Sequence, residues 1–299
     1  MDKGSPATLY YHDRESGRRE AEIIYGEAEL NFLYGTFWGR ALRRLFVTRP
    51  WFSRLNGLTK RLGSSRDAIP RFVSQYGIDA GEAEKSLAEY RSLDDFFSRR
   101  LKPGARPLDP NPKALLAPAD GRVLVYPRLE GQALRVKQQR VSIAELLGCP
   151  RAAAEVEGGC AVVVRLAPKD YHRFHFPADG RVGASRAIAG QLESVHPIAL
   201  AAGARSFANK RVVSQLETPL FGTLYLVDVG ALTVGTIVQT HRPGPVARGQ
   251  EKGYFRFGGS TLVLLWGPGG PALDPDLIDN SARHLETLVK VGTRIAALP

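Results

Sequence analysis

Three stretches of this 299-residue chain carry side chains able to do covalent chemistry. LLAPADGRV holds Asp120, LAPKDYHRFHFPADGRV holds His172 and His175, and EKGYFRFGGSTLVLLW holds Ser260 behind Gly258 and Gly259. An Asp, a His and a Ser are the parts of serine chemistry. The hydroxyl is a poor nucleophile until an imidazole takes its proton, and a carboxylate fixes the imidazole tautomer. The Gly-x-Ser-x-Gly elbow of ordinary hydrolases is missing. Two glycines before Ser260 suit a nucleophile that turns back onto its own backbone, and they equally suit a plain hairpin. His172 and His175 have the His-x-x-His spacing of a helical metal pair, which keeps a metal-dependent hydrolase open as a reading. Against it, Phe174, Phe176 and Pro177 argue for extended chain, where positions three apart face opposite sides, and no third ligand is evident.

The hexapeptide PADGRV occurs twice, at Pro118–Val123 and Pro177–Val182. Pro presets φ, Asp bonds its own backbone and Gly accepts φ > 0, so each copy reads first as a turn feeding a strand. Only one copy sits just behind the histidines. Six residues cannot establish a duplication.

The elements that must position these groups are mostly strands. VLVY, ALRVK, CAVVVRL, RVVSQL, LYLVDV, LTVGTIVQ, YFRF and STLVLLW have strand length and β-branched content. Between them, only Ser142–Leu147, with Glu145 at the capping-box position, predicts a helix. Upstream, Ser92 and Asp95 make a capping box ahead of Phe96 and Phe97. Five prolines between Pro103 and Pro118 then rule out helix and mark a boundary. The expectation is an α+β chain: an N-terminal helical region, 1–108, and a β-rich catalytic core, 109–299, barrel-like or sandwich-like.

Composition narrows the partners. With 43% hydrophobic residues the chain can bury a full core. Cys149 and Cys160 match neither a disulfide framework nor a zinc motif, which makes a cytoplasmic setting the default. No apolar run approaches the roughly eighteen residues of a membrane span, and the polar N-terminus is not a secretory signal. The net charge of +11 calls for an anionic partner. From Asn31 to Arg66 there are eight basic residues, no acidic ones and seven aromatics, Trp38 and Trp51 among them. Leu33, Phe37, Ala41 and Leu45 fall at helical spacing with Arg40, Arg43 and Arg44 between them. This reads as a basic amphipathic helix in a membrane interface or as a core-facing helix. No nucleic-acid module, glycine-rich phosphate loop or dinucleotide fingerprint is found.

Taken in order, FFSRRLKPGARPL, APADGRV, DYHRFHFPADG, VDVGALTVGTIV, GQEKGYFRFGGST and VKVGTRIA resemble the phosphatidylserine decarboxylase proenzyme family from about Phe97 onward. The resemblance implies self-cleavage between Gly259 and Ser260, giving a β chain of 1–259 and an α chain of 260–299. Ser260 would become an N-terminal pyruvoyl group, the covalent cofactor, which condenses with the serine amine of phosphatidylserine. No pyridoxal phosphate and no metal are implied. By analogy His175 is the base for cleavage, Asp120 orients it, and His172 transfers a proton in decarboxylation, while Asp179 shapes a turn. The implied setting is peripheral, on the cytoplasmic side of the cell membrane at an anionic surface. Assembly could extend to a dimer of α/β heterodimers. A membrane-surface binding module on the same fold, never cleaved, is the rival from outside enzymology.

Overall fold

The computed structural model describes residues 9–24, 26–136, 139–232, 236–258 and 260–299. Its backbone is one large, open, mostly antiparallel sheet. At its centre Gly121–Tyr126, Cys160–Leu166, Ser260–Trp266, Gly222–Gly230 and Arg211–Thr218 lie side by side in that order. Cys160–Leu166 and Ser260–Trp266 are near-continuous apolar runs because both of their faces are covered. Val162, Val164, Leu262, Leu264 and Trp266 point into one buried cluster. Val163, Val263 and Leu265 point into another beneath the helices Ile143–Leu147 and Pro150–Glu155. The sheet does not close, so the barrel form of the expectation is not what the chain builds.

Two small sheets cover the first cluster. Ile237–Gln239, Glu251–Phe255 and Arg173–His175 form one, and Ala272–Leu273, Arg294–Ala297 and Ala114–Leu116 the other. The predicted helix at Ser142–Leu147 forms, with the Ser142 hydroxyl accepting the Glu145 N–H. Pro150–Glu155, Pro197–Ala201 and Pro275–Ala282 are helices that strand-like texture concealed, and each begins with Pro in its first turn.

The N-terminal part differs from its sequence reading in two respects. Tyr10–Asp13 and Arg18–Ala21 form a hairpin whose first strand pairs in parallel with Glu286–Val289, so the start of the chain extends the core's own sheet. The basic aromatic stretch is not one helix but Glu27–Gly35, Phe37–Leu42, a π-helical turn at Arg43–Val47, and Pro50–Arg61. Thr36 breaks it by turning extended and capping the next helix through Gly39 N–H, and Pro50 starts the last segment. Leu33 packs against a buried cluster around Leu30 and Tyr34, whereas Phe37 and Trp38 are 70% and 75% exposed. Trp51's side chain lies outside the described residues.

The two PADGRV copies lie antiparallel against each other: Leu116 N–H donates to Pro177 O at 3.0 Å, and His175 N–H to Pro118 O at 2.7 Å. Their surroundings match. Ala117 exchanges backbone bonds with Gly292 and Thr293 as Phe176 does with Gly249 and Gln250. Asp120 Oδ1 accepts Val291 N–H at 2.8 Å as Asp179 Oδ1 accepts Arg248 N–H at 2.9 Å. Gly249 and Gly292 both have left-handed φ, +77° and +84°. The repeat is therefore one turn used twice about a local twofold. The copies differ in burial: Asp120 is buried and Asp179 exposed.

Candidate active site

Ser260 is the first residue of a central strand, in register with Gly230 on one side and Leu166 on the other. It is fully buried, and its Oγ has no hydrogen-bond partner among the described residues. The strand before it, Glu251–Phe255, belongs to a small sheet, whereas Ser260–Trp266 is central in the large one. The two strands are thus not a hairpin, and the chain crosses from one sheet to the other between them. Gly258 makes that crossing with φ +132°, a conformation side chains resist. Gly259, the other half of the expected scissile bond, lies outside the described residues.

The histidines sit on extended chain, as Phe174 and Pro177 predicted. Backbone alternation puts His172 with Phe174 and His175 with Arg173. His172 is fully buried, 3.9 Å from Phe97 ring to ring. Its Nδ1 lies 2.9 Å from the Asp170 carbonyl, which makes Nδ1 the donor and leaves the lone pair on Nε2. That Nε2 has no hydrogen-bond partner among the described residues. Burial pulls the ring down to about 4, partly opposed by the carbonyls of Asp170 and Gly258, so the imidazole is neutral and meets the loop ahead of Ser260. His175 is also drawn down to about 4 by burial. It ends the strand Arg173–His175, stacks 5.8 Å from Tyr171, and leaves Nδ1 without a partner among the described residues. Among those residues, no group of three His, Cys, Asp or Glu could hold a metal ion.

Asp120 lies two residues from the carbonyl that binds His175, but its carboxylate points elsewhere. Arg106 Nε reaches both oxygens at 3.0 Å and Nη2 reaches Oδ2 at 2.6 Å. Val291 N–H supplies a further bond. No hydrogen bond joins Asp120 to the His175 ring among the described residues. Burial raises the Asp120 carboxyl above the usual range, against the lowering influence of Arg106.

Sequence reasoning missed two groups. Asp94, in the helix Leu93–Phe97, accepts Phe257 N–H at 3.0 Å and Arg256 Nη1 at 2.8 Å, gripping the loop that leads to Ser260. Arg106 was visible only as part of a motif. Capping chemistry explained Ser92 and Asp95 locally, since Ser92 Oγ accepts Asp95 N–H at 3.2 Å, and nothing local marked Asp94 as different.

A cleft of about 1070 Å³ opens between the N-terminal helices and the core. Phe32, Leu42, Val47 and Phe52 line it from the helices, and Leu166, Phe257 and Gly258 from the site. It therefore leads from an apolar surface to the loop before Ser260.

A buried serine at a sheet crossing, with the neutral His172 ring against the loop that leads to it, is a set of groups suited to acyl chemistry on the backbone. A family model described as phosphatidylserine decarboxylase matches residues 93–297. The chain is 41% identical over 285 residues to the phosphatidylserine decarboxylase proenzyme of Chlamydia muridarum, covering 94% of this chain and 95% of the relative. It is 40% identical over 287 residues to that of Chlamydia caviae, covering 95% and 96%. The chain belongs to the phosphatidylserine decarboxylase family.

Proposed function

We propose that this chain is the precursor of a pyruvoyl-dependent phosphatidylserine decarboxylase that cuts itself between Gly259 and Ser260. The observation that carries the reading is Ser260 Oγ, buried and without a hydrogen-bond partner among the described residues, just past Gly258 where the chain crosses between two sheets. His175 takes the Ser260 hydroxyl proton as Oγ adds to the Gly259 carbonyl carbon. The peptide C–N bond then breaks, the freed nitrogen is protonated, and an ester remains. Loss of the Ser260 α-proton expels the Gly259 carboxylate, and water replaces the nitrogen, which leaves as ammonia. Chains of 1–259 and 260–299 result.

The local residues fit the product. Ser260's hydroxyl has no partner among the described residues, so converting it to a pyruvoyl group strands no donor. That group supplies the electron sink that decarboxylation of an α-amino acid requires and no standard side chain offers. This route calls for neither pyridoxal phosphate nor a metal. The cleft, whose walls mix apolar side chains with Glu22, Glu27, Glu29 and Arg165, brings the serine headgroup to the loop ahead of residue 260. His172, neutral at rest, takes a proton on Nε2 from the substrate ammonium as the amine condenses and returns it to the substrate carbon once CO2 has left. Phe37, Trp38 and Leu45, with Arg40 and Arg44 beside them, rest on the anionic membrane surface, each basic residue adding about 1 kcal/mol of attraction. No helix among the described residues is long and apolar enough to cross a membrane, which is compatible with peripheral attachment.

The test is an intact mass spectrum of purified protein. Two chains meeting at Gly259 and Ser260, the smaller beginning with a pyruvoyl group, are expected from the wild type, and one unchanged chain from Ser260→Ala. Cleavage of the alanine variant would sink the reading.

A further inference from the structure

We propose that Arg106 is a positioning residue for self-cleavage, holding the Asp120 carboxylate in a bidentate clamp whose strength is set by Glu82. The proposal rests on the reading in which ionised Asp120 supports His175. Arg106 stands between two carboxylates. Toward Asp120 it makes the three contacts of 2.6–3.0 Å described above. Toward Glu82, in the turn Ala80–Glu82, Nη1 and Nη2 each donate at 2.9 Å. The fork thus presents one edge to each acid, a geometry open to guanidinium and closed to an ammonium.

The asymmetry between the acids gives the arrangement its direction. Asp120 is buried, with a side chain 9% exposed, while Glu82's is 29% exposed. A buried carboxylate depends on its cation to remain charged, because desolvation favours the protonated form. Glu82 draws on the same cation from the solvent side and weakens its hold on Asp120. Other charges facing Asp120 are Arg99 and Asp170, the latter paired with Arg122, and Tyr171 lies close enough to feel its charge. None of these makes a hydrogen bond to the carboxylate among the described residues. The second PADGRV copy is the internal contrast: Asp179 keeps the same backbone N–H contact, has no arginine clamp among the described residues, and is exposed.

Opposite pH shifts follow. Removing the Arg106 charge raises the pH at which Asp120 ionises, and removing the Glu82 charge lowers it. The acid limb of self-cleavage should move to higher pH by about one unit or more in Arg106→Gln, with at least a tenfold slower rate at neutral pH. Arg106→Lys, which keeps the charge without the fork, should fall between Gln and wild type. Glu82→Gln should move the limb to lower pH. It touches a part-exposed residue, so the proposal stays testable if Arg106→Gln does not fold. The measurement is the rate of conversion of freshly purified precursor to two chains between pH 5 and 9, with melting curves as the folding control. Unmoved limbs in Glu82→Gln and in folded Arg106→Gln, together with a slow Asp120→Asn, would overturn the proposal alone. Wild-type cleavage in Asp120→Asn would overturn it through the reading on which it rests.

Discussion

Asp94 and Phe257 are joined by a hydrogen bond of 3.0 Å across 163 positions of sequence, from a helix of the N-terminal region to the loop two residues ahead of Gly259. Arg256 binds the same carboxylate. This grip fixes the backbone two residues ahead of Gly259, where the proposed self-cleavage needs it bent. Asp94→Ala should slow self-cleavage by about tenfold, equivalent to ~1.4 kcal/mol in the barrier. Asp94→Asn, which keeps an acceptor for Phe257 N–H, should lose less. Time courses of precursor conversion on denaturing gels check both, and equal rates in all three proteins would remove Asp94 from the account.

Lys252 Nζ donates to Asp228 inside the apolar cluster, and Gln239 bonds both partners. Burial lowers the lysine pKa. The pair links the small sheet that carries His175 to the strand beside Ser260–Trp266. Lys252→Met alone should destabilise the fold by about 3–5 kcal/mol, because it leaves Asp228 charged and buried. Adding Asp228→Leu should recover most of that loss, since two apolar side chains fill the same space without desolvated charge. Denaturation midpoints of the single and double variants, made in a Ser260→Ala background, give the comparison.

Histidine burial makes stability depend on pH. His172 and His175 sit near 4 in the folded chain against an ordinary 6.5. The unfolded state therefore binds more protons between those values, so their contribution is complete above about pH 6.5 and is lost as pH falls toward 4. Asp120, raised by burial, acts in the opposite sense over the acid range. The melting temperature of the Ser260→Ala precursor should fall as pH drops from 7 to 4.5, and His172→Phe should lessen the drop. A slope unchanged by that substitution would contradict the assignment of the effect to His172.

Phe37 and Trp38 meet edge to face at 5.5 Å and stand out from the surface. Replacing both with Ser should weaken binding to vesicles containing phosphatidylserine by at least tenfold, since burying one large apolar side chain is worth roughly 1.5–3 kcal/mol. Self-cleavage should be unchanged, because neither residue approaches Ser260. Raising salt should weaken the remaining, charge-driven binding. Cosedimentation with vesicles provides the readout.

The amino-acid sequence alone determined whatever depends on neighbours along the chain. Apolar runs such as CAVVVRL and STLVLLW specify strands, Ser142 and Ser92 specify helix starts, and the ordered motifs specify the family, whose resemblance nominates Ser260 for the reaction proposed above. Helices opened by Pro150, Pro197 and Pro275 escaped because each is only five to eight residues long, too short for a periodicity to stand out. Tertiary structure decided what depends on pairing across distance. It sent the strands around Gly258 into different sheets, turned the second PADGRV outward while burying the first, gave Asp120 to Arg106 and set Asp94 on Phe257. Hydrogen bonds and charge pairs of this kind join residues whose separation along the chain leaves no pattern in it. They form only because packing two apolar faces of one sheet brings the covering segments together and leaves their polar groups no water to bond instead.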